Sequence, residues 1–388
     1  RGYSVNELAE MTKIDPFYFE QINKMRLLIR EIAEHPNKEP VLQKAKSYGL
    51  SNQLIARLWK TTSEQVYQMS LDHQLLTKYK EIEPSAGEFD QHTNSFYSAY
   101  EEENEISRTS QPNALVIGTG GLRLGLSNSG DYFVAMMLKE LHNEGFNNVI
   151  VNSNPSSVTF NPELAEKRYV EPVTIENILQ ILRIEQPQYL FIPASYSKLL
   201  KSLQNYDLDV KIIVIPDELP TTAASSDRQR YSFNYVYDGN YAYPLGTMTD
   251  LFSPIALNYQ STALRYPADL PSSTYQNLND QASVAVLKLE QPGLYQVIFE
   301  ENDGEFNLIK VQPLSLPEVA FLSKALHISL PGIFTQLFTG KFDKMLEPKP
   351  VSGIVNYRAT FPFKALRIKG GIPARNRVIG AQMQFLGE

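Results

Sequence analysis

The sequence predicts a mixed fold in three parts: an all-α helical domain, an α/β domain with a parallel sheet, and an α+β domain built on antiparallel hairpins. Helix-capping patterns follow one another through residues 1–80. Strand and helix patterns alternate through residues 111–216, and hairpin turn signals recur after residue 230. The length of 388 residues allows two or three domains of this kind.

Capping patterns define the helical domain that we predict over residues 1–80. Ser4 and Glu7 have the spacing of a capping box, and Thr62 with Gln65 repeats it. Asp15 precedes a proline, which suits an N-cap followed by proline at the first helical position. Several short helices should therefore follow one another here.

An acidic and aromatic connector is predicted over residues 81–110. Residues 81–105 hold eight acidic side chains and no Lys or Arg, a composition that usually marks a solvated segment. The same stretch contains Phe89, Phe96, Tyr97 and Tyr100, so we expect it to pack along a surface.

Alternating strands and helices over residues 111–216 predict a parallel sheet covered by helices. A glycine loop follows the first strand, and helices are predicted over residues 132–143 and from Thr174 onward. The predicted strands are 114–117, 149–151, 189–192 and 211–215.

The last part of the chain changes to an antiparallel pattern. Residues 217–230 are polar and turn-rich, which predicts a linker. Within residues 231–388, aromatic side chains alternate up to Asp238-Gly239, and a second apolar pair of segments flanks Asp303-Gly304. Asp-Gly between such segments is typical of a β-hairpin.

Composition excludes several classes of function. The net charge of −7 disfavours a broad nucleic-acid surface, and the sequence has no run of about 20 apolar residues. It has no cysteine, and its five histidines lack metal-ligand spacing. We therefore predict a cytoplasmic protein without a thiolate metal site. The chain begins with Arg1 and lacks a secretory pattern, so we interpret it as a trimmed or excised segment.

Several stretches resemble the large subunit of carbamoyl phosphate synthetase. Residues 1–10, 44–51 and 53–58 are similar to its oligomerisation domain, and residues 95–105 are close to the sequence of the family. Residues 118–125 resemble the glycine loop G-S-G-P-I-R-I-G that opens its pre-ATP-grasp domain. Residues 151–155 resemble the family's turn after the second strand of that domain. The resemblance implies a Rossmann-like pre-ATP-grasp sheet followed by a truncated α+β ATP-grasp remnant.

The resemblance also implies an activity and a cofactor. The family is an ATP-dependent carbon–nitrogen ligase that uses ATP, bicarbonate and glutamine-derived ammonia to make carbamoyl phosphate for arginine and pyrimidines. Mg-ATP would be the cofactor if that activity were retained here. The glycine loop, with Gly118, Gly120, Gly121 and Gly125, is a weak nucleotide-binding candidate. We favour a tight turn that packs the sheet, because the family nucleotide lies mainly in the ATP-grasp unit.

The metal-binding strand of the ATP-grasp unit is altered in this chain. The family writes it I-E-V-N-P-R, and residues 309–314 read I-K-V-Q-P-L. Lys310 replaces a carboxylate ligand, Gln312 an asparagine and Leu314 an arginine, while Ile298 replaces a glutamine on the preceding strand. Magnesium prefers hard oxygen ligands. We therefore predict no metal ligand and no catalytic residue at these positions.

The segment that should hold the nucleotide lid is also short. In the family a long stretch with a lysine-bearing lid lies before the first hairpin, whereas residues 217–230 fill that place here. Phosphoryl transfer depends on positioning and on charge neutralisation. We predict a degenerate paralogue, without a cofactor of its own, that forms homo-oligomers or docks on a synthetase-related chain.

Two alternatives stay open. Another chain could complete the nucleotide site, which would make this protein a component of a working carbamoyl phosphate synthetase. Residues 50–67 also resemble a helix-turn-helix, whose second helix offers Glu64, Gln65 and Gln68 near its start. Nucleic-acid binding is the minor alternative, because so few basic side chains accompany this motif.

Overall fold

The computed structural model describes residues 2–89, 91–100, 103–106, 113–119, 127–217, 228–251, 263–342, 353–360 and 380–386. The chain forms two compact units. The first contains Arg1–Ser107 and Thr174–Ile184, and the second contains Arg108–Val173 and Glu185–Glu388.

Five helices and an antiparallel strand pair make up most of the described first unit. The capping patterns are confirmed: Ser4 and Glu7 form a capping box, and so do Thr62 and Gln65. The amide of Phe17 donates to Asp15 Oδ1 at 2.9 Å. The elements are α1 Val5–Thr12, α2 Pro16–Glu34, α3 Glu39–Ser47, α4 Asn52–Trp59, α5 Ser63–Asp72, β1 Lys78–Glu81 and β2 Ser95–Ala99.

The core of the first unit lies between α2, α3, α4 and α5. Leu28, Ile32, Leu42 and Ile55 are fully buried or nearly so, and Trp59 packs against them. Trp59 Nε1 donates to the Ile32 carbonyl at 2.8 Å, so its polar atom is satisfied inside the core. Helix α1, by contrast, has no buried residue.

A later helix, α7 Ile175–Glu185, belongs largely to the first unit. Its Glu176 Oε1 accepts from the amide of Asn52, the first residue of α4, at 3.0 Å. A carboxylate suits a helix N-terminus because the first amides have no partner within the helix. Gln180 Nε2 also donates to the Thr77 carbonyl at 3.2 Å.

The parallel sheet predicted for the α/β part is present in the second unit. Its strands run in the order β5-β4-β3-β6-β7, and all these neighbours are parallel. The elements are β3 Asn113–Ile117, α6 Ser127–Asn143, β4 Asn147–Asn152, β5 Lys167–Val170, β6 Tyr189–Pro193, α8 Ser197–Leu203 and β7 Lys211–Ile215.

A second, antiparallel sheet follows in the same unit. Its seven described strands run in the order β12-β11-β8-β9-β10-β13-β14. Both predicted hairpins are present, with Asp303 and Gly304 at positive φ in the second turn. The elements are β8 Arg230–Tyr237, β9 Ala242–Asp250, β10 Ala263–Tyr266, α9 Ser272–Val286, β11 Gly293–Asn302, β12 Glu305–Pro313, α10 Leu316–Leu326, α11 Leu330–Thr339, β13 Ile354–Thr360 and β14 Gly380–Leu386.

Helices cover both faces of this antiparallel sheet. One face packs Phe233, Tyr235 and Phe299 against Leu278 and Ala282 of α9. The other face shares a core with α10, α11 and α6 of the parallel sheet. The fold is therefore a mixed α/β structure with two sheets, as the sequence predicts. No helix in the described part of the chain combines the length and the apolar character needed to cross a bilayer.

Candidate functional site

The β11–β12 hairpin brings the predicted former metal positions together. Lys310 lies directly opposite Ile298, and Gln312 lies directly opposite Gln296. Cross-strand partners and alternate residues of a strand share one face of a sheet. Ile298, Lys310 and Gln312 therefore lie next to one another on the same face, the arrangement that the resemblance implies for these positions.

The chemistry of that face does not suit a divalent cation. Ile298 contributes an aliphatic side chain, Lys310 an ammonium and Gln312 a neutral amide, and all three are half-buried. Magnesium needs a near-octahedral set of hard oxygen atoms, usually including carboxylates. Among the described residues, no group of three His, Cys, Asp or Glu side chains could hold a metal ion.

Glu318 is the carboxylate that reaches this face from α10. Its Oε2 accepts from Gln296 Nε2 at 2.8 Å and from the amide and hydroxyl of Ser315 at 2.9 and 2.7 Å. Burial raises the pKa of Glu318, and the charge of Asp250 adds to this effect. The hydrogen bonds from Ser315 and Gln296 oppose it. We did not predict this residue as part of the site, although Ser315 and Glu318 have capping-box spacing that the sequence displays.

A second carboxylate, on strand β11 itself, is held by arginines. Glu300 is 7% exposed, and Arg230 Nε donates to its Oε1 at 3.2 Å. Arg228 Nη1 lies 3.8 Å from Glu300 Oε2. In the register with β8, Glu300 faces Arg230 and Gln296 faces Asn234. The carboxylates of Glu300 and Glu318 therefore both have protein donors, and Ile298 lies on β11 between Glu300 and Gln296, the partner of Glu318.

Only Gly118 of the four glycine-loop candidates can be placed. Gly120, Gly121 and Gly125 lie outside the described residues. The Gly118 amide donates to the Val151 carbonyl at 2.8 Å. A Cβ added to Gly118 would lie 2.7 Å from Asn152 Cγ, closer than real Cβ atoms approach. Close packing against β4 is thus sufficient reason for glycine at this position, which supports the tight-turn interpretation.

The edge of the sheet after β6 is closed by its own polar groups. The Ser195 amide donates to Asp217 Oδ1 at 2.7 Å, and the Ser195 hydroxyl donates to Asp217 Oδ2 at 2.6 Å. These bonds link the segment after β6 to the segment that follows β7. They hold this edge of the sheet together.

The helix-turn-helix pattern consists of α4 and α5, and its polar side chains bond locally. Gln65 forms the capping box with Thr62. Gln68 Nε2 donates to Asp72 Oδ1 at 2.8 Å on the same helix. Two of the three side chains considered for base contacts thus bond within their own helical segment.

Comparison with known sequence families gives two matches. Residues 1–74 match the oligomerisation domain of the carbamoyl-phosphate synthetase large chain. Residues 110–215 match the carbamoyl phosphate synthase preATP-grasp domain. These matches confirm the resemblance to the synthase large chain for these two domains. They cover the helical domain and the parallel sheet, and leave the second sheet to be interpreted from its own residues.

Solved structures similar to this synthase-like chain are carboxylases. The Kluyveromyces lactis urea carboxylase is 13% identical with a TM-score of 0.46, and the match covers 64% of this chain and 24% of that chain. A biotin carboxylase domain of a single-chain bacterial carboxylase is 11% identical with a TM-score of 0.47, and the match covers 64% of this chain and 74% of that chain. Rhizobium etli pyruvate carboxylase with acetyl coenzyme-A is 12% identical with a TM-score of 0.46, and the match covers 64% of this chain and 29% of that chain. This chain thus spans about a quarter of the length of the urea carboxylase.

Proposed function

We propose that this chain is a carbamoyl phosphate synthase large-chain-like protein that does not use ATP by itself and acts by associating with another chain. The observation that carries the proposal is the pairing of Lys310 with Ile298 at the former metal positions. We also propose that the second sheet is the remnant of an ATP-grasp unit whose lid segment is reduced to residues 217–230. Given the absence of cysteine, the cytoplasm is the compartment that we propose.

The electrostatic cost of a metal at this hairpin supports the proposal. A unit positive charge roughly 5 Å from a divalent ion costs about 7 kcal/mol at an effective dielectric constant of about 20, before screening by salt. The neighbouring carboxylates of Glu300 and Glu318 already accept hydrogen bonds from protein donors. Among Ile298, Lys310 and Gln312 only Lys310 is charged, and its single positive charge is less than the two that a magnesium ion would bring to the triphosphate in phosphoryl transfer.

Calorimetric titration with Mg-ATP tests the proposal. The isolated chain should give no binding heat at micromolar nucleotide. A triple variant with Ile298→Gln, Lys310→Glu and Gln312→Asn should bind Mn²⁺ in an electron paramagnetic resonance titration, whereas the parent chain should not. Lys288→Glu, an exposed residue after α9, matches the charge change of Lys310→Glu and should bind no Mn²⁺. Saturable Mg-ATP binding by the parent chain would overturn the proposal.

The second candidate function is a synthetase component that another chain completes. The match of residues 1–74 to an oligomerisation domain favours it, because that domain offers a route to association. Titration of Mg-ATP into a mixture with a synthetase small subunit separates the two candidates. Heat and carbamoyl phosphate formation in the mixture alone would favour the completed site, and the arginine or pyrimidine pathway would then follow from the partner.

A further inference from the structure

Strand β12 lies at one end of the antiparallel sheet, and no strand of the described chain pairs with its outer edge. The end strand β1 of the other sheet is covered at its edge. There the Tyr79 amide donates to Asn104 Oδ1 at 2.8 Å, and the Glu105 amide donates to the Tyr79 carbonyl at 2.9 Å. An uncovered edge offers backbone groups to which another chain can bond.

The backbone groups that point out of this edge can be identified from the neighbouring strand. The Glu301 amide donates to the Gln229 carbonyl at 2.9 Å, on the side of β11 that faces away from β12. Glu301 therefore does not bond to its cross-strand partner Phe306, and antiparallel pairs alternate in this respect. The amides and carbonyls of Phe306 and Leu308 thus point outward. Neither amide donates to another residue that the structure describes.

Apolar side chains flank these backbone groups on the face that carries α9. Leu308 is 45% exposed and lies opposite Phe299, a residue of the core under α9. Phe306 packs against the same core, and its ring centroid lies 5.6 Å from that of Tyr231. A strand added to this edge would place alternate side chains beside Phe306 and Leu308.

The usable edge is short and has clear ends. The hairpin turn at Asp303 and Gly304 closes one end. At the other end the register shifts, so Ile309 has no cross-strand partner and forms a bulge. A bulge bends the strand and interrupts regular pairing. The edge that can accept a further strand therefore consists of residues 305–308.

The charge of the hairpin indicates the kind of segment that can bind there. Residues 299–309 contain four acidic side chains and no Lys or Arg. Glu300 is held by Arg230, whereas Asp303 and Glu305 are exposed at the turn. A second copy of the hairpin would bring the same negative charge and would be repelled, whereas a basic segment would be attracted.

We propose that residues 305–308 of β12 are the docking site for an extended basic segment of another chain, which adds a strand to the sheet. Main-chain hydrogen bonds to Phe306 and Leu308 supply affinity, as in other cases of strand addition. The segment carries apolar side chains beside these two residues and Lys or Arg beside Glu305 and Asn307, because alternate residues face opposite sides. The inference rests on the proposed function in one respect, that the chain acts by association.

Fluorescence anisotropy with a synthetic peptide tests the site on the full chain. The probe is the capped and labelled peptide T-K-V-R-V-K-T, in which valine and basic residues alternate, and T-E-V-E-V-E-T is its charge-reversed control. The basic peptide should bind saturably, and more weakly as salt is added. The acidic peptide should not bind. Equal binding of the two peptides, or no binding of the basic peptide up to millimolar concentration, would overturn the proposal.

Two variants test whether the peptide binds at β12. Leu308→Pro removes an outward amide on an edge strand, where proline is tolerated, and should weaken binding by about tenfold. Leu308→Thr keeps the amide and should weaken binding less. Glu305→Lys should weaken binding at low salt, and Glu290→Lys, an exposed position outside the hairpin, is its matched control. Binding that neither Leu308→Pro nor Glu305→Lys weakens would contradict the proposed site.

Hydrogen exchange followed by mass spectrometry locates the added strand. Bound peptide should slow amide exchange in residues 305–308 and leave residues 78–81 of β1 unchanged, because the amides of the free edge then gain partners. Protection that rises with protein concentration in the absence of peptide would identify a second copy as the occupant and overturn the proposal. These outcomes are independent of the Mg-ATP titration, so failure here leaves the proposed loss of ATP binding standing.

Discussion

The buried ion pair between Lys167 and Glu185 allows the sharpest test of how the second unit is stabilised. Glu185 is 0% exposed, and its two carboxylate oxygens lie 2.9 and 3.0 Å from Lys167 Nζ. Tyr169 OH and Asn113 Nδ2 also donate to this carboxylate. Asn147 Nδ2 extends the network by donating to Asn113 Oδ1 at 2.7 Å. The network joins β3, β4 and β5 to the end of α7.

Glu185→Ala should destabilise the protein strongly because it removes one partner only. Lys167 is 5% exposed, and its buried ammonium would lose the carboxylate that lies 2.9 and 3.0 Å from it. Breaking a buried pair in this way costs about 3–5 kcal/mol, which is a large share of a typical total stability of about 5–15 kcal/mol. The double variant Lys167→Met with Glu185→Gln should recover about half of that loss or more, because neither member of the pair then carries a charge.

Urea denaturation followed by far-ultraviolet circular dichroism measures these differences. The matched control is Glu34→Ala, which removes an ion pair of similar length, 2.8 Å, whose partners are 71% and 54% exposed. Exposed pairs contribute about 0–1 kcal/mol, so the control should shift the midpoint little. A loss below about 1 kcal/mol for Glu185→Ala, or a double variant less stable than the single one, would refute the reasoning.

Three further predictions concern single side chains. Burial raises the pKa of Glu144, so the folded state favours the protonated carboxyl group. This preference stabilises the protein below the ordinary pKa of 4.5, and the stabilisation is lost as the pH rises through the pKa of the folded state. Glu144→Gln should therefore raise the Tm at pH 7 and leave it nearly unchanged at pH 4, and an equal shift at both pH values would contradict this. Trp59→Phe should lower the free energy of unfolding by about 1–3 kcal/mol in urea titrations, because the Ile32 carbonyl loses its buried donor. Gly118→Ala should cost about 1–3 kcal/mol through its contact with Asn152, and a neutral result would show that the turn can adjust.

Local signals in the sequence account for much of the secondary structure. Capping boxes at Ser4 and Thr62 mark helix starts because the side chain and the amide that it satisfies are only three residues apart. The turn at Asp303 is equally local, and both hairpins were predicted from such turns. Predicted ends were less accurate: α6 was predicted from residue 132 and starts at Ser127. Strands β10, β13 and β14 were not predicted individually, because their pairing joins distant parts of the chain.

The prediction that the hairpin holds no metal rests on the residue types alone. Lys310 is cationic and Ile298 has no oxygen, whatever the surrounding structure is. That both lie side by side on one sheet face depends on the register of two strands, which the hairpin turn sets. The prediction that these positions bind no metal thus comes from the sequence and its family resemblance, and the register of the hairpin adds only that the residues concerned are neighbours.

Other features depend on contacts between residues that are far apart in the chain. Glu185 is fully buried because β3, β4 and β5 bring Asn113 and Lys167 to the end of α7. Residue type alone does not distinguish this glutamate from the exposed Glu34. The apolar residues of α1 and α2 pose the same difficulty, since a helical pattern predicts burial and only the folded unit leaves Ile22 uncovered. The physical reason is that burial depends on which other surfaces are available, and that is a property of the folded chain rather than of any local segment.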